Sequence, residues 1–287
     1  MAHKVIIGCG YLGTRVALAC RRQGVPVTGV VRSTASAEGL RAAGIAAAVL
    51  DLDQPLTDAP GLRDTELFYF APPPGEGVEE TRVRQLIAGF EQFGQPRRVV
   101  YLSTTGVYGD CAGAWVDETR PVNPRVDRAR RRWDGEQRFA AWSRATGGEL
   151  VILRVAGIYG PGKLPLARLR RGEPTLRESE APYTNRIHID DLVRVCLAAL
   201  ARGGDGEVYN VSDGAPGNMT DYFNQVADWA GLPRPPQIPL TEATDRLSAG
   251  MLSYLQESRR LDSGKLRREL GVELRYPDLA SGLAACR

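Results

Sequence analysis

Histidine is nearly missing. Two residues in 287 limit both imidazole catalysis and His-based metal binding. Cysteine is sparse and scattered: Cys9, Cys20, Cys111, Cys196 and Cys286 are odd in number, and no pair has C-x-x-C spacing. That pattern indicates neither a zinc site nor a disulfide framework; reduced thiols in a cytoplasmic protein are the simplest expectation. No apolar run approaches the roughly 20 residues that a bilayer requires, and the first residues run directly into a strand-like segment rather than a leader. A large excess of one charge is missing too. The net charge is +3, too mild to imply a nucleic-acid or membrane-surface partner. There is no internal repeat and no low-complexity tract. What remains is an ordinary globular composition, 43% hydrophobic and 25% charged, long enough to bury a sizeable core.

Short apolar runs alternate with helical patterns through the first half. Strands are expected at Lys4–Ile7, Val25–Val31, Ala47–Leu50, Leu67–Ala71, Arg98–Ser103 and Leu150–Val155. Helices are expected at Thr14–Gln23, Glu38–Ala43, Glu79–Phe93 and Asp127–Ala145, several closed by a glycine. Near-continuous apolar strands between helices predict a Rossmann-type, doubly wound α/β fold, a parallel sheet covered on both faces. After Gly157 the elements shorten. Asp190–Ala201, Thr220–Ala230 and Ser263–Leu270 read as helices, and Val208–Val211 as a strand.

Gly8-Cys9-Gly10-Tyr11-Leu12-Gly13 follows the first strand and opens a helix. In that setting G-x-G-x-x-G is a dinucleotide loop. Gly8 permits the tight turn, Gly10 lets a pyrophosphate approach the backbone, and Gly13 lets the helix pack on the strand. The helix N-terminus supplies free N–H groups and a positive dipole end. The second strand ends in Arg32-Ser33, with no carboxylate for a ribose hydroxyl. A guanidinium and a hydroxyl suit a 2′-phosphate, so NADP is expected over NAD. Cys9, at the helix N-terminus, is in a setting that can lower a thiol pKa.

Several landmarks carry a resemblance. They are Asp51-Leu52, Phe70-Ala71-Pro72, Leu102-Ser103-Thr104-Thr105-Gly106-Val107-Tyr108-Gly109-Asp110, Arg154-Val155-Ala156-Gly157-Ile158-Tyr159-Gly160, Arg186-Ile187-His188-Ile189-Asp190-Asp191 and Val208-Tyr209-Asn210-Val211. Nearly the whole chain resembles the NAD-dependent epimerase/dehydratase family, the extended short-chain dehydrogenase/reductases, in an atypical branch with G-x-G-x-x-G at the loop. The resemblance implies that Asp51 meets the adenine amino group and Leu52 flanks the ring. Phe70, Ala71 and Pro72 would line the ribose and nicotinamide side, with Ser103 nearby. It places His188 and Asp190-Asp191 where the chain returns to the Rossmann body, in a structural role, and so implies a dinucleotide-binding body of residues 1–157 and 188–205 with a smaller, discontinuous substrate region of 158–187 and 206–287. Dimers through two helices occur in such proteins, so a monomer or a homodimer is expected.

The chain departs from the family at its chemistry. The Tyr-x-x-x-Lys pair that the family uses falls on Arg128 and Arg132, counted back from Glu136. Arg132 can still donate to a ribose hydroxyl. Arg128 cannot shuttle protons, because a guanidinium stays charged. Thr104 takes the family's Ser/Thr position that orients a substrate oxygen. A replacement phenol must lie within about 3 Å of that oxygen; Tyr108 is the first candidate, with Tyr159 and Tyr183 behind it. The arginines at 125, 128 and 130–132 form the densest basic patch, suited to an anionic ligand if it faces a cleft. Two functions stay open: an NAD(P)-dependent oxidoreductase or epimerase acting on a small polar or anionic substrate, and a non-catalytic NADP(H)-binding sensor.

Overall fold

Strand β1 (Lys4–Ile7) divides its side chains between two cores, and the rest of the fold follows from that division. Ile6 points to one side, Val5 and Ile7 to the other, as a period of two requires. The computed structural model describes residues 2–56 and 59–287. After β1 come α1 (Tyr11–Arg22), β2 (Val27–Val31), α2 (Thr34–Ala42), β3 (Ala46–Val49), β4 (Glu66–Tyr69), α3 (Thr81–Phe93), β5 (Arg98–Thr104), α4 (Asp127–Thr146), β6 (Glu149–Val155), α5 (Ile189–Arg202) and β7 (Val208–Val211). Further on lie α6 (Met219–Ala230), α7 (Ala249–Leu255) and α8 (Gly264–Leu270). The seven strands form one parallel sheet in the order β7-β6-β5-β4-β1-β2-β3.

One face of the sheet packs Ile6, Phe68, Val100 and Leu153 under α1, α5 and α8. The other packs Val5, Tyr69, Tyr101 and Ile152 under α3 and α4. The expected doubly wound fold is therefore present. The order reverses between β1 and β4, which opens the crevice where such sheets bind ligands.

Two boundaries differ from expectation for physical reasons. α2 begins at Thr34, four residues before the expected start. Ser33 caps it, its Oγ accepting from Ser36 N at 3.3 Å. The division after residue 205 also shifts. Val208–Val211, assigned to the substrate region, pairs in parallel with Ile152–Val155 and completes the sheet. Leu266, Leu270 and Val272 then pack into the same core as α1 and α5. An apolar strand and an amphipathic helix are buried where the sheet still has an open edge and an uncovered face. The C-terminal part thus belongs in good measure to the Rossmann body.

Candidate active site

Each glycine of the loop after β1 stands where it does for a separate reason. Gly8 has φ +84°, and a Cβ there would lie 2.3 Å from Ala71 N. A Cβ at Gly13 would press on Gly8 O at 3.0 Å and on the Ile6 side chain at 3.1 Å. Gly10, which precedes the first turn of α1, faces open space, with nothing within 4 Å of its Cβ direction. Two glycines thus let the backbone fold, and the third leaves room beside a helix N-terminus. Leu12 is buried in the core, so only its backbone faces the loop. Tyr11 reaches sideways and donates to Pro161 O at 2.9 Å. Cys9 is a small residue packed into the loop. Its thiol is buried against Gly29, and burial pushes its pKa up to about 11. The thiol is not activated, because desolvation outweighs the helix N-terminus.

The ends of the other strands lie along the same edge, since all seven run parallel. Arg32 is exposed beyond β2 and makes no side-chain hydrogen bond among the described residues. Asp51 accepts from Asp53 N at 3.0 Å, Leu52 is buried, and the Asp53 carboxylate holds Arg82. Arg82 in turn donates to Pro72 O at 2.8 Å. Phe70 is buried in the core, while Ala71 O accepts from Arg132 Nη1 at 3.1 Å. Two arginines thereby fix the loop after β4.

A cleft of about 650 Å³ opens beyond β5 and β6. Thr104 and Arg132 line it, with Arg186, Tyr222, Tyr254 and Arg259 among its other walls. Thr104 Oγ1 accepts from Gly106 N at 3.2 Å. That bond orients the hydroxyl and leaves its own proton available to a ligand oxygen. Two neighbours predicted for the site are engaged elsewhere. Ser103 borders the cleft, but its hydroxyl donates to buried Glu136 at 2.5 Å. Glu136 is also gripped by Arg154, with contacts of 2.8 and 3.1 Å.

Tyr108 does not reach the cleft. It is 1% exposed; its hydroxyl donates to Asn210 Oδ1 at 2.8 Å and accepts from Arg154 at 3.1 Å. The turn Thr105–Tyr108 carries the ring inward, so the structure corrects its candidacy as the proton carrier. Tyr159 is buried too and donates to Asp278 O at 3.3 Å. Tyr183 does line the cleft, as do Tyr222 and Tyr254. The latter two belong to α6 and α7, in a region where sequence offers no cleft signal. Burial raises the Tyr222 phenol, and the Arg186 guanidinium over its ring opposes that rise.

The basic patch divides. Arg132 faces the cleft, Arg131 is buried and donates to Gly77 O, and Arg128 turns to α7. His188 caps α5, its Nδ1 accepting from Asp190 N at 3.3 Å. Asp191 accepts the N–H groups of Arg275 and Tyr276, both at 2.8 Å. These contacts are structural ones.

A family model described as the NAD dependent epimerase/dehydratase family matches residues 82–212. Protein YeeZ of Escherichia coli (strain K12) is 29% identical over 288 residues, covering 97% of each chain. Among solved structures, a functionally unknown conserved protein from Silicibacter pomeroyi DSS is 33% identical, with TM-score 0.84 over 100% of this chain and 98% of that one. The UDP-glucuronic acid 4-epimerase from Bacillus cereus in complex with NAD is 18% identical, with TM-score 0.78 over 99% and 96% of the two chains; that likeness is one of fold. No helix among the described residues is long and apolar enough to cross a membrane.

Proposed function

Because this chain belongs to the NAD-dependent epimerase/dehydratase family, we propose that it is an NADP(H)-dependent oxidoreductase or epimerase acting on a small polar, anionic substrate. The observation that carries the reading is the contrast among the loop glycines: Gly8 and Gly13 are jammed by neighbouring atoms, and Gly10 alone faces open space beside the α1 N-terminus. A purely structural turn has no need of that opening; a pyrophosphate does.

The residues fit the cofactor along one edge of the sheet. Gly8, Gly10 and Gly13, with the backbone of Tyr11 and Leu12, would hold the pyrophosphate. Arg32 and the Ser33-capped start of α2 would hold the 2′-phosphate, which supports NADP over NAD. Asp51 and Leu52 would meet the adenine, Phe70, Ala71, Pro72 and Ser103 the ribose and nicotinamide side, and Arg132 a ribose hydroxyl. When bound, the nicotinamide supplies or accepts a hydride. Thr104 orients the substrate oxygen by donating to it, with Gly106 N–H fixing the hydroxyl. Arg128 carries no proton here. The proton carrier is sought among the phenols that line the cleft, Tyr183, Tyr222 and Tyr254.

Thermal melting with NADPH and with NADH tests the reading. Near 100 times Kd, one bound ligand adds about 2.7 kcal/mol, a rise of roughly 5–10 °C for a chain of this size. The expected result is a larger shift with NADPH, reversed in Arg32→Glu. No shift with either cofactor would sink the proposal.

A further inference from the structure

Four guanidinium groups border the cleft: Arg132, Arg168, Arg186 and Arg259. Two pair with carboxylates, Arg168 with Glu173 at 2.6 Å and Arg259 with Glu257 at 3.0 Å. Arg132 and Arg186 each donate to a backbone carbonyl, Arg132 to Ala71 O at 3.1 Å and Arg186 Nη1 to Asn185 O at 2.9 Å. Arg132 thereby ties down the loop after β4, whereas the bond of Arg186, among the described residues, is to the residue before it. No carboxylate oxygen of those residues lies within 4.0 Å of the Arg186 guanidinium. Its Cζ sits 4.1 Å from the centre of the Tyr222 ring, which covers one face of the guanidinium. Asp213 acts on it through charge without forming an ion pair: its Oδ1 accepts from Ala215 N at 3.0 Å, and its buried Oδ2 has no hydrogen-bond partner among the described residues.

A guanidinium held in a protein wall without a paired carboxylate is costly, and it stays charged. The neighbouring backbone is shaped around it. A Cβ at Gly157 would fall 2.9 Å from Arg186 Nη1 and 3.3 Å from its Cδ. Glycine at 157 leaves the slot in which the side chain lies. Register relates Arg186 to Thr104. Thr104 pairs with Val155, and Gly157, two residues on, pairs with Arg186. Thr104 and Arg186 therefore flank the segment Val155–Gly157, and both line the cleft.

We propose that Arg186 is the recognition point for an anionic oxygen group, a carboxylate or a phosphate, on the ligand whose reacting oxygen meets Thr104. The inference rests on the cleft being the substrate site. The planar fork of the guanidinium suits either group through paired N–H···O bonds, and Tyr222 holds the fork in plane.

Calorimetric titration with oxaloacetate and with inorganic phosphate, each against the wild-type chain and Arg186→Met, tests it. At least one of the two anions should bind the wild type and lose tenfold or more in affinity in the variant; which one does so identifies carboxylate or phosphate as the preferred group. Gly157→Ala, which displaces the guanidinium without altering its charge, should weaken the same anion. If neither anion binds the wild type, or if both bind Arg186→Met as tightly, the proposal is overturned. Should Arg186→Met fail to fold, the Gly157→Ala titration decides alone. The melting shift with NADPH is read in parallel on each variant: retained with anion binding lost, it separates failure of the subsite from failure of the cofactor reading.

Discussion

Arg128 on α4 is strapped to Ser253 on α7: its Nη1 donates to Ser253 Oγ at 2.6 Å and its Nη2 to the Ser253 carbonyl at 3.3 Å. Tyr254 covers the guanidinium, its ring centre 4.3 Å from Cζ. Arg128 thus serves a connection between two parts of the chain. α7 has no buried residue of its own, while Met251 and Tyr254 wall the cleft. Arg128→Ala should leave the fold intact and cost about 1 kcal/mol or less. Amide hydrogen exchange over residues 249–255 should quicken clearly. Unchanged exchange would mean that α7 is held by other contacts.

The first two glycines of the loop should respond oppositely to a side chain. Gly8→Ala must place a Cβ against Ala71 N at positive φ and should destabilise the protein by at least about 2 kcal/mol. Gly10→Val meets open space, so the melting temperature of the free protein should hardly move, while affinity for NADPH should drop tenfold or more. Melting curves with and without NADPH separate the two.

Tyr108→Phe leaves the Asn210 and Arg154 groups it satisfies without that partner. Stability should fall by about 1–3 kcal/mol, with NADPH affinity unchanged. Loss of turnover at full stability would restore Tyr108 as the proton carrier.

Glu80 is fully buried, neither carboxylate oxygen has a hydrogen-bond partner among the described residues, and burial raises its pKa to about 7 against the opposing charge of Arg132. Between about pH 4.5 and 7 the folded protein keeps a proton that the unfolded chain has lost. This contribution to stability is complete below the unfolded pKa and is lost as pH rises toward 7. Its upper bound is about 3 kcal/mol. Burial raises Asp213 to about 7 as well, and the same sign applies. Glu80→Gln should be more stable than the wild type at pH 8, with the difference gone or reversed at pH 4. Parallel melting curves across that range would refute the assignment.

The glycine loop and the apolar strands were legible because their signals are local. A glycine between jammed neighbours and a run of buried β-branched residues each announce themselves within a few positions. Pairing was less legible: Val208–Val211 reads as a strand, but its partner Ile152–Val155 lies far back in the chain, and no local pattern names it. Tyr108 stands in the right motif and points the wrong way, since motif membership carries no side-chain direction. Arg186 belongs to a visible landmark, but its lack of a paired carboxylate emerges only from how Gly157, Tyr222 and Asp213 are placed around it.

The late strand also bears on how the chain is made. During synthesis the glycine loop emerges early, well before residues 208–211 can close the sheet. Until they arrive, β6 offers an unpaired edge, and the surface that Leu266 and Leu270 later cover stays bare. Such edges invite association with other chains. A fragment ending at residue 205 would contain every residue proposed for the cofactor and would still be expected to aggregate, so the half of the chain that carries the glycine loop is not a separable module.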